Sequence, residues 1–308
     1  MDTKAALAVF AESLKARGSV QTEARYLRAC DSLIVAAGTT PLAQLTRHDI
    51  QRALARLHGR GWSPRTLAVT LSAWRSWFRY LNKASPEINP AVFSGIKAPK
   101  APRRLPNALS ETEAVRLVTA PEQSGSSAFP FVVARDQAMF EVLYGCGIRI
   151  GELVGVDVID VDLANAEMRV FGKGRKERIV PLGAPACAAM QAWLIQRNTR
   201  CSAVSDGTSA ALFLGVRGER ISPQVVRRAL KDRALAQGIS SNVYPHRLRH
   251  SFASHVLQSS GDLRAVQELM GHASIASTQV YTHLDFQHLA KVYDQAHPRA
   301  RKKSGNSR

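Results

Sequence analysis

The sequence is poor in cysteine: 308 residues hold four, Cys30, Cys146, Cys187 and Cys201, with no C-x-x-C pair and no metal-type spacing. This argues against a disulfide scaffold or a zinc ribbon. It fits a reduced, cytoplasmic chain whose thiols serve as small buried hydrophobes. No apolar run reaches the ~18–20 residues of a membrane span. The stretch Ala5 to Ala11 is apolar, but Glu12, Lys15 and Arg17 follow at once without a small-residue cleavage site. That predicts an amphipathic helix rather than a signal core, and no membrane insertion. Acidic residues are scarce as well, 24 against 42 Lys and Arg, a formal charge of +18. Such an excess favours a polyanionic partner, nucleic acid before an acidic membrane.

What is present suffices for real cores. Hydrophobic residues make up 45% of the chain, and its length suits roughly two domains. Residues 1–106 carry 17 basic and 6 acidic side chains, and residues 107–308 carry 25 and 18. The smaller part therefore holds the larger surplus, as a binding surface would. Between the parts, the eleven residues Ile96 to Pro106 include three prolines and four cations, incompatible with a helix or an inner strand. They predict an extended basic linker. The expected organisation is thus an N-terminal domain 1–95, a linker 96–106, a second domain 107–297 and a loose basic tail 298–308.

The first part reads as helical. Ser63-Pro64 is an N-cap followed by proline at the first helical position. Leu67, Leu71, Trp74, Phe78 and Leu81 then form one buried stripe. Arg65, Arg75 and Arg79 fall off that stripe, and Arg47, Arg52, Arg56 and Arg60 make a second row on the preceding helix. A solvated face is the ordinary explanation of such rows. Two of them without matching acids point to phosphate contacts, with Arg47, Arg52, Arg65, Arg75 and Arg79 as candidate DNA-binding residues. In the second part, Ser110-Glu111-Thr112-Glu113 is a capping box. Residues 132–145 and 184–199 read as helices, and Ser222-Pro223 starts another. Met168–Phe171 and Arg178–Pro181 flank a glycine-containing turn as a hairpin.

Several chemical motifs fail on inspection. His246 and His250 are spaced as in a zinc-peptidase H-E-x-x-H, but Arg247 replaces the glutamate and repels a metal. Gly172-Lys173-Gly174 lacks the order of a phosphate-binding loop. Gly145 to Gly151 has its last glycine one residue late for a dinucleotide fingerprint. No metal or cofactor is therefore expected. Taken singly, the remaining polar residues have dull explanations: Arg149 as a surface charge, Lys173 as a solvated turn, Tyr281 as half-buried packing, and Glu152 as a surface acid as readily as a partner of Arg149.

Together they are more specific. Gly147-Ile148-Arg149-Ile150-Gly151-Glu152-Leu153, Gly172-Lys173-Gly174, His246-Arg247-Leu248-Arg249-His250, Leu269-Met270-Gly271-His272 and Val280-Tyr281-Thr282 resemble, in order and spacing, the motifs of tyrosine recombinases. The likeness runs from about residue 4 to residue 300 and is strongest to the Xer branch. One departure is a Pro121-to-Pro130 segment longer than the family pattern, which reads as a surface loop.

The resemblance implies a mainly α fold: a helical, SAM-like core-binding domain plus a mixed, mostly helical catalytic domain with a small β-sheet or hairpin. It implies Tyr281 as nucleophile, forming a 3′-phosphotyrosine intermediate, with Arg149, Lys173, His246, Arg249 and His272 as the other catalytic residues. It further implies double-stranded DNA bearing a dif-like site, a XerD-like recombinase as partner in a heterotetramer with exchanged C-terminal segments, and an FtsK-like translocase as regulator. A phage or mobile-element integrase, a type IB topoisomerase and a non-catalytic DNA-binding protein are the alternatives.

Overall fold

The computed structural model describes residues 3–16, 20–100, 108–119, 130–172, 176–204, 210–239, 242–271, 292–293 and 295–299. The long 121–130 segment lies almost wholly outside them. The chain divides into two compact units, Met1–Arg104 and Leu105–Arg308.

The first unit is built from α1 (Thr3–Lys15), α2 (Val20–Ala37), α3 (Arg47–Gly59) and α4 (Pro64–Asn82). Local chemistry sets the helix starts. Thr46 and Asp49 form a capping box at α3, and Ser63 Oγ accepts the Thr66 N–H at 3.1 Å ahead of Pro64; each such cap stabilises by about 1 kcal/mol. The predicted stripe of α4 is buried, but α4 is covered on more than that face. The Trp74 indole donates to Ala29 O of α2 at 2.6 Å, and Trp77, outside the stripe, donates to Ala6 O of α1 at 3.3 Å. Two indoles thus fasten one helix to two neighbours. Ile96, expected to open a free linker, is only 4% exposed and packs in this core.

The second unit comprises α5 (Glu111–Val118), α6 (Pro130–Gly145), α7 (Ile150–Gly155), strands β1 (Val161–Asp162), β2 (Glu167–Phe171) and β3 (Glu177–Pro181), then α8 (Ala184–Val204), α9 (Pro223–Ala236), α10 (Pro245–Ser260) and α11 (Leu263–Leu269). Helix α6 is buried continuously from Ala138 to Gly145 and runs among α5, α8, α9 and α10. A helix covered on every side belongs in the middle, and the charged Arg135 and Glu141 it buries there are paired with Asp136 and Arg299. The sheet is antiparallel in the order β1-β2-β3, with Val170 opposite Arg178. The expected hairpin gains β1, which at two residues is too short to show a strand period.

The chain's late residues settle onto this unit. Tyr293 and His297 are buried, with their rings stacked at a centroid distance of 5.1 Å. His297 also meets Tyr144 and Phe252. The Arg299 guanidinium pairs with the carboxylate of buried Glu141. Pro298 and Arg299 were expected in a loose tail; instead an aromatic recess and a buried carboxylate fix Arg299 to the domain. Among the described residues, no helix is long and apolar enough to cross a membrane.

Candidate active site

Arg149 caps the N-terminus of α7, and Glu152 stands at the third helical position. There its Oε2 accepts the Arg149 N–H at 2.8 Å, and its negative charge suits the helix start. The same carboxylate takes Arg149 Nη1 at 2.8 Å. The turn before it needs glycine. Gly147 has φ +59°, and a Cβ there would run into the Phe252 ring of α10. That close approach lets Gly147 O accept Arg249 Nη1 at 2.5 Å.

Arg249 comes from α10 and is buried, its other terminal nitrogen donating to Met270 O. His246, one helical turn earlier, is exposed at the same place. Arg149, Glu152, Phe171, Gly172, His246 and Arg249 line one cavity of about 540 Å³. Three predicted residues are therefore brought together. Lys173, His272 and Tyr281 lie outside the described residues. Gly172, the residue before Lys173, is on the cavity wall. Gly271, before His272, accepts Arg149 Nη2 at 3.4 Å.

The electrostatics depend on one carboxylate. Glu152 faces Arg149, Arg178 at 2.8 Å and Arg249 at 4.0 Å. Burial pushes its carboxyl up, but the bonds and charge of Arg178, followed by the bonds from Arg149, outweigh that and hold it down at about 2. Burial, and then the Arg149 charge, lower Arg249 to about 10, so it stays charged at neutral pH. Three cations around one anion leave the pocket positive, ready for an anionic group whose oxygens can take guanidinium forks. The open question about Glu152 is thereby answered: at 4% exposure it is no surface acid.

Sequence reasoning missed Arg178. The strand Glu177-Arg178-Ile179-Val180 carries two adjacent apolar residues, so its inward face is ambiguous without a register. Pairing with β2 resolves it, because Arg178 opposes inward-facing Val170. The arginine rows of the first unit are not wholly without an acid or a partner. Asp49 answers Arg52 with an ion pair, and half-buried Arg75 donates to Ile96 O at 2.5 Å. Arg47, Arg65 and Arg79 are exposed.

Known proteins resemble the chain over most of its length. Residues 107–288 match the phage integrase family, and residues 7–85 match the phage integrase N-terminal SAM-like domain. The chain is 48% identical over 279 residues to tyrosine recombinase XerC of Ralstonia pickettii, covering 87% of this chain and 84% of that protein. It is 46% identical over 279 residues to tyrosine recombinase XerC of Shewanella amazonensis, covering 90% and 88%. Its fold is similar to the crystal structure of XerH site-specific recombinase bound to palindromic difH substrate in a post-cleavage complex. The TM-score is 0.65 and the identity 22%, over 89% of this chain and 80% of that one.

Proposed function

The chain belongs to the phage integrase family of tyrosine recombinases, and from that premise we propose how its residues cut and rejoin DNA. It is a site-specific DNA recombinase similar to XerC. The observation that carries the mechanism is the convergence of Arg149, His246 and Arg249 on one cavity around a buried Glu152.

A phosphodiester repels nucleophiles with its own charge, and the pentavalent transition state gathers more. Arg149 and Arg249 grip the nonbridging oxygens, and His272 donates to them. Removing one such preorganised donor typically costs about 10²–10³ in rate. The Tyr281 oxygen bonds to phosphorus while the bond to the 5′ oxygen breaks. His246 takes the phenol proton, and Lys173 protonates the departing 5′ oxygen, a contribution of roughly 10²–10⁴. A free 5′-hydroxyl from another strand reverses the step. The phosphotyrosyl ester keeps the energy of the broken bond, so the exchange is nearly isoenergetic.

The task we propose is resolution of replicon dimers in the cytoplasm. It is shared with a XerD-like recombinase on a dif-like site and regulated by an FtsK-like translocase. The test is a nicked suicide duplex. Tyr281→Phe is expected to bind it with unchanged affinity and form no covalent adduct, read as a DNA-linked band on a denaturing gel. An adduct in that variant moves the nucleophile elsewhere. Recombination only when a XerD-like protein is added supports the shared task, whereas relaxation of any supercoiled plasmid assigns a topoisomerase.

A further inference from the structure

Arg178 stands behind the cavity wall rather than in it. Its side chain is 8% exposed, and its two terminal nitrogens each lie 2.8 Å from a different oxygen of Glu152. Its Nε donates to Leu269 O at 3.4 Å, and its guanidinium packs under Gly271, 3.1 Å from where a Cβ would stand. One side chain thus ties together the start of α7, the hairpin strand that follows Lys173, and the turn that precedes His272.

Charge balance does not call for this arginine. Arg149 is bonded to Glu152, and Arg249 stands 4.0 Å away, so two cations already face the single carboxylate. A third guanidinium adds repulsion in a buried place, and buried ion pairs are weak sources of stability in any case. What the planar fork does supply is direction. Two parallel bonds fix the carboxylate plane, and the fixed carboxylate then holds Arg149 by its N–H and its Nη1.

We propose that Arg178 is a positioning residue of the strand-cleavage reaction, setting Glu152 so that Arg149 meets the scissile phosphate in register. The proposal rests on the recombinase reading above. Its action is on the grip of the nonbridging oxygens, not on protonation of the leaving group.

The experiment is single-turnover cleavage of a nicked suicide duplex by the full chain, with Arg178→Met and Arg178→Lys beside the unsubstituted protein. A displacement of about 1 Å at such a site costs on the order of 10²-fold. Arg178→Met is therefore expected to cleave about 10²-fold more slowly with DNA affinity unchanged. Arg178→Lys, which keeps the charge and loses the fork, is expected to fall between the two, at about tenfold slower. Sulfur in place of the 5′-bridging oxygen, a leaving group that needs little protonation, is expected to leave the Arg178→Met defect in place. Cleavage by folded Arg178→Met within about threefold of the unsubstituted protein overturns the proposal, as does rescue by sulfur, which assigns Arg178 to the Lys173 hairpin instead. Should thermal melting show that Arg178→Met does not fold, Arg178→Lys decides by the same threefold criterion. If the unsubstituted chain forms no adduct at all, it is the recombinase reading that fails.

Discussion

Arg47, Arg65 and Arg79 of the first unit are exposed, whereas Arg178 and Arg249 of the second are buried around one carboxylate. The same residue type is used for opposite physical ends. An exposed arginine is screened and mobile; it adds to affinity for a polyanion without fixing the place of any atom. A buried arginine must have its donors satisfied, and the acceptors that satisfy it also fix its orientation. Backbone carbonyls of Gly147 and Met270 perform that service for Arg249. The contrast is between charge free to attract a polyanion and charge held in one orientation.

The largest expected effect tests the buried side of this comparison. Glu152→Leu leaves the guanidiniums of Arg178 and Arg249 without their anion. Breaking a buried pair in this way costs about 3–5 kcal/mol, to be measured as loss of stability in denaturant unfolding. A loss under about 1 kcal/mol would mean that water, not Glu152, compensates these charges. Next, Arg249→Ala is expected to slow covalent-adduct formation by about 10²–10³ while duplex binding changes little, read by single-turnover kinetics beside a binding isotherm. Equal losses in both would place Arg249 with the attracting charges.

A third test sets one buried titratable group against another. Burial, with smaller contributions from the charges of His255 and Arg299, lowers His297 to about 3. Its unfolded value is ~6.5, so between those values the undocked segment binds more protons than the docked one. The packing of residues 292–299 is thus at full strength above pH 6.5 and weakens as pH falls, by roughly 2 kcal/mol at pH 5. Glu152, held near 2, keeps its charge throughout that range. Hydrogen exchange at pH 7.5 and 5 should therefore show the C-terminal segment loosening while α7 stays protected, and His297→Phe should shrink the difference, leaving what buried Glu141, the partner of Arg299, and His255 contribute. The smallest effect belongs to the exposed arginines. Changing Arg47, Arg65 and Arg79 to alanine one at a time should lower affinity similarly on all sequences. Each true phosphate contact should also flatten the dependence of log K on log salt by about one unit.

Legibility followed the range of the interaction. The caps at Ser63, Ser110 and Ser222 and the glycine turn before Arg149 are local, and the structure shows each where the residues imply it. The stripe on α4 was readable too. Its second attachment through Trp77 was not, because one helix's periodicity does not reveal how many neighbours it will have. The two-residue strand β1 carries no period to detect. In the site, Arg149, His246 and Arg249 stood out by motif, yet Glu152 could be read two ways and Arg178 looked like any strand residue.

The order of residues alone determined the surplus of positive charge, the helix starts and the motif set that marks the family, since each is a property of composition or of neighbours a few positions apart. Only the folded chain decided that Arg178 faces inward, that Glu152 is buried among guanidiniums and that Arg299 docks on Glu141. Those outcomes depend on strand register and on segments tens or hundreds of residues away, and water leaves a side chain only when such distant partners arrive to replace it.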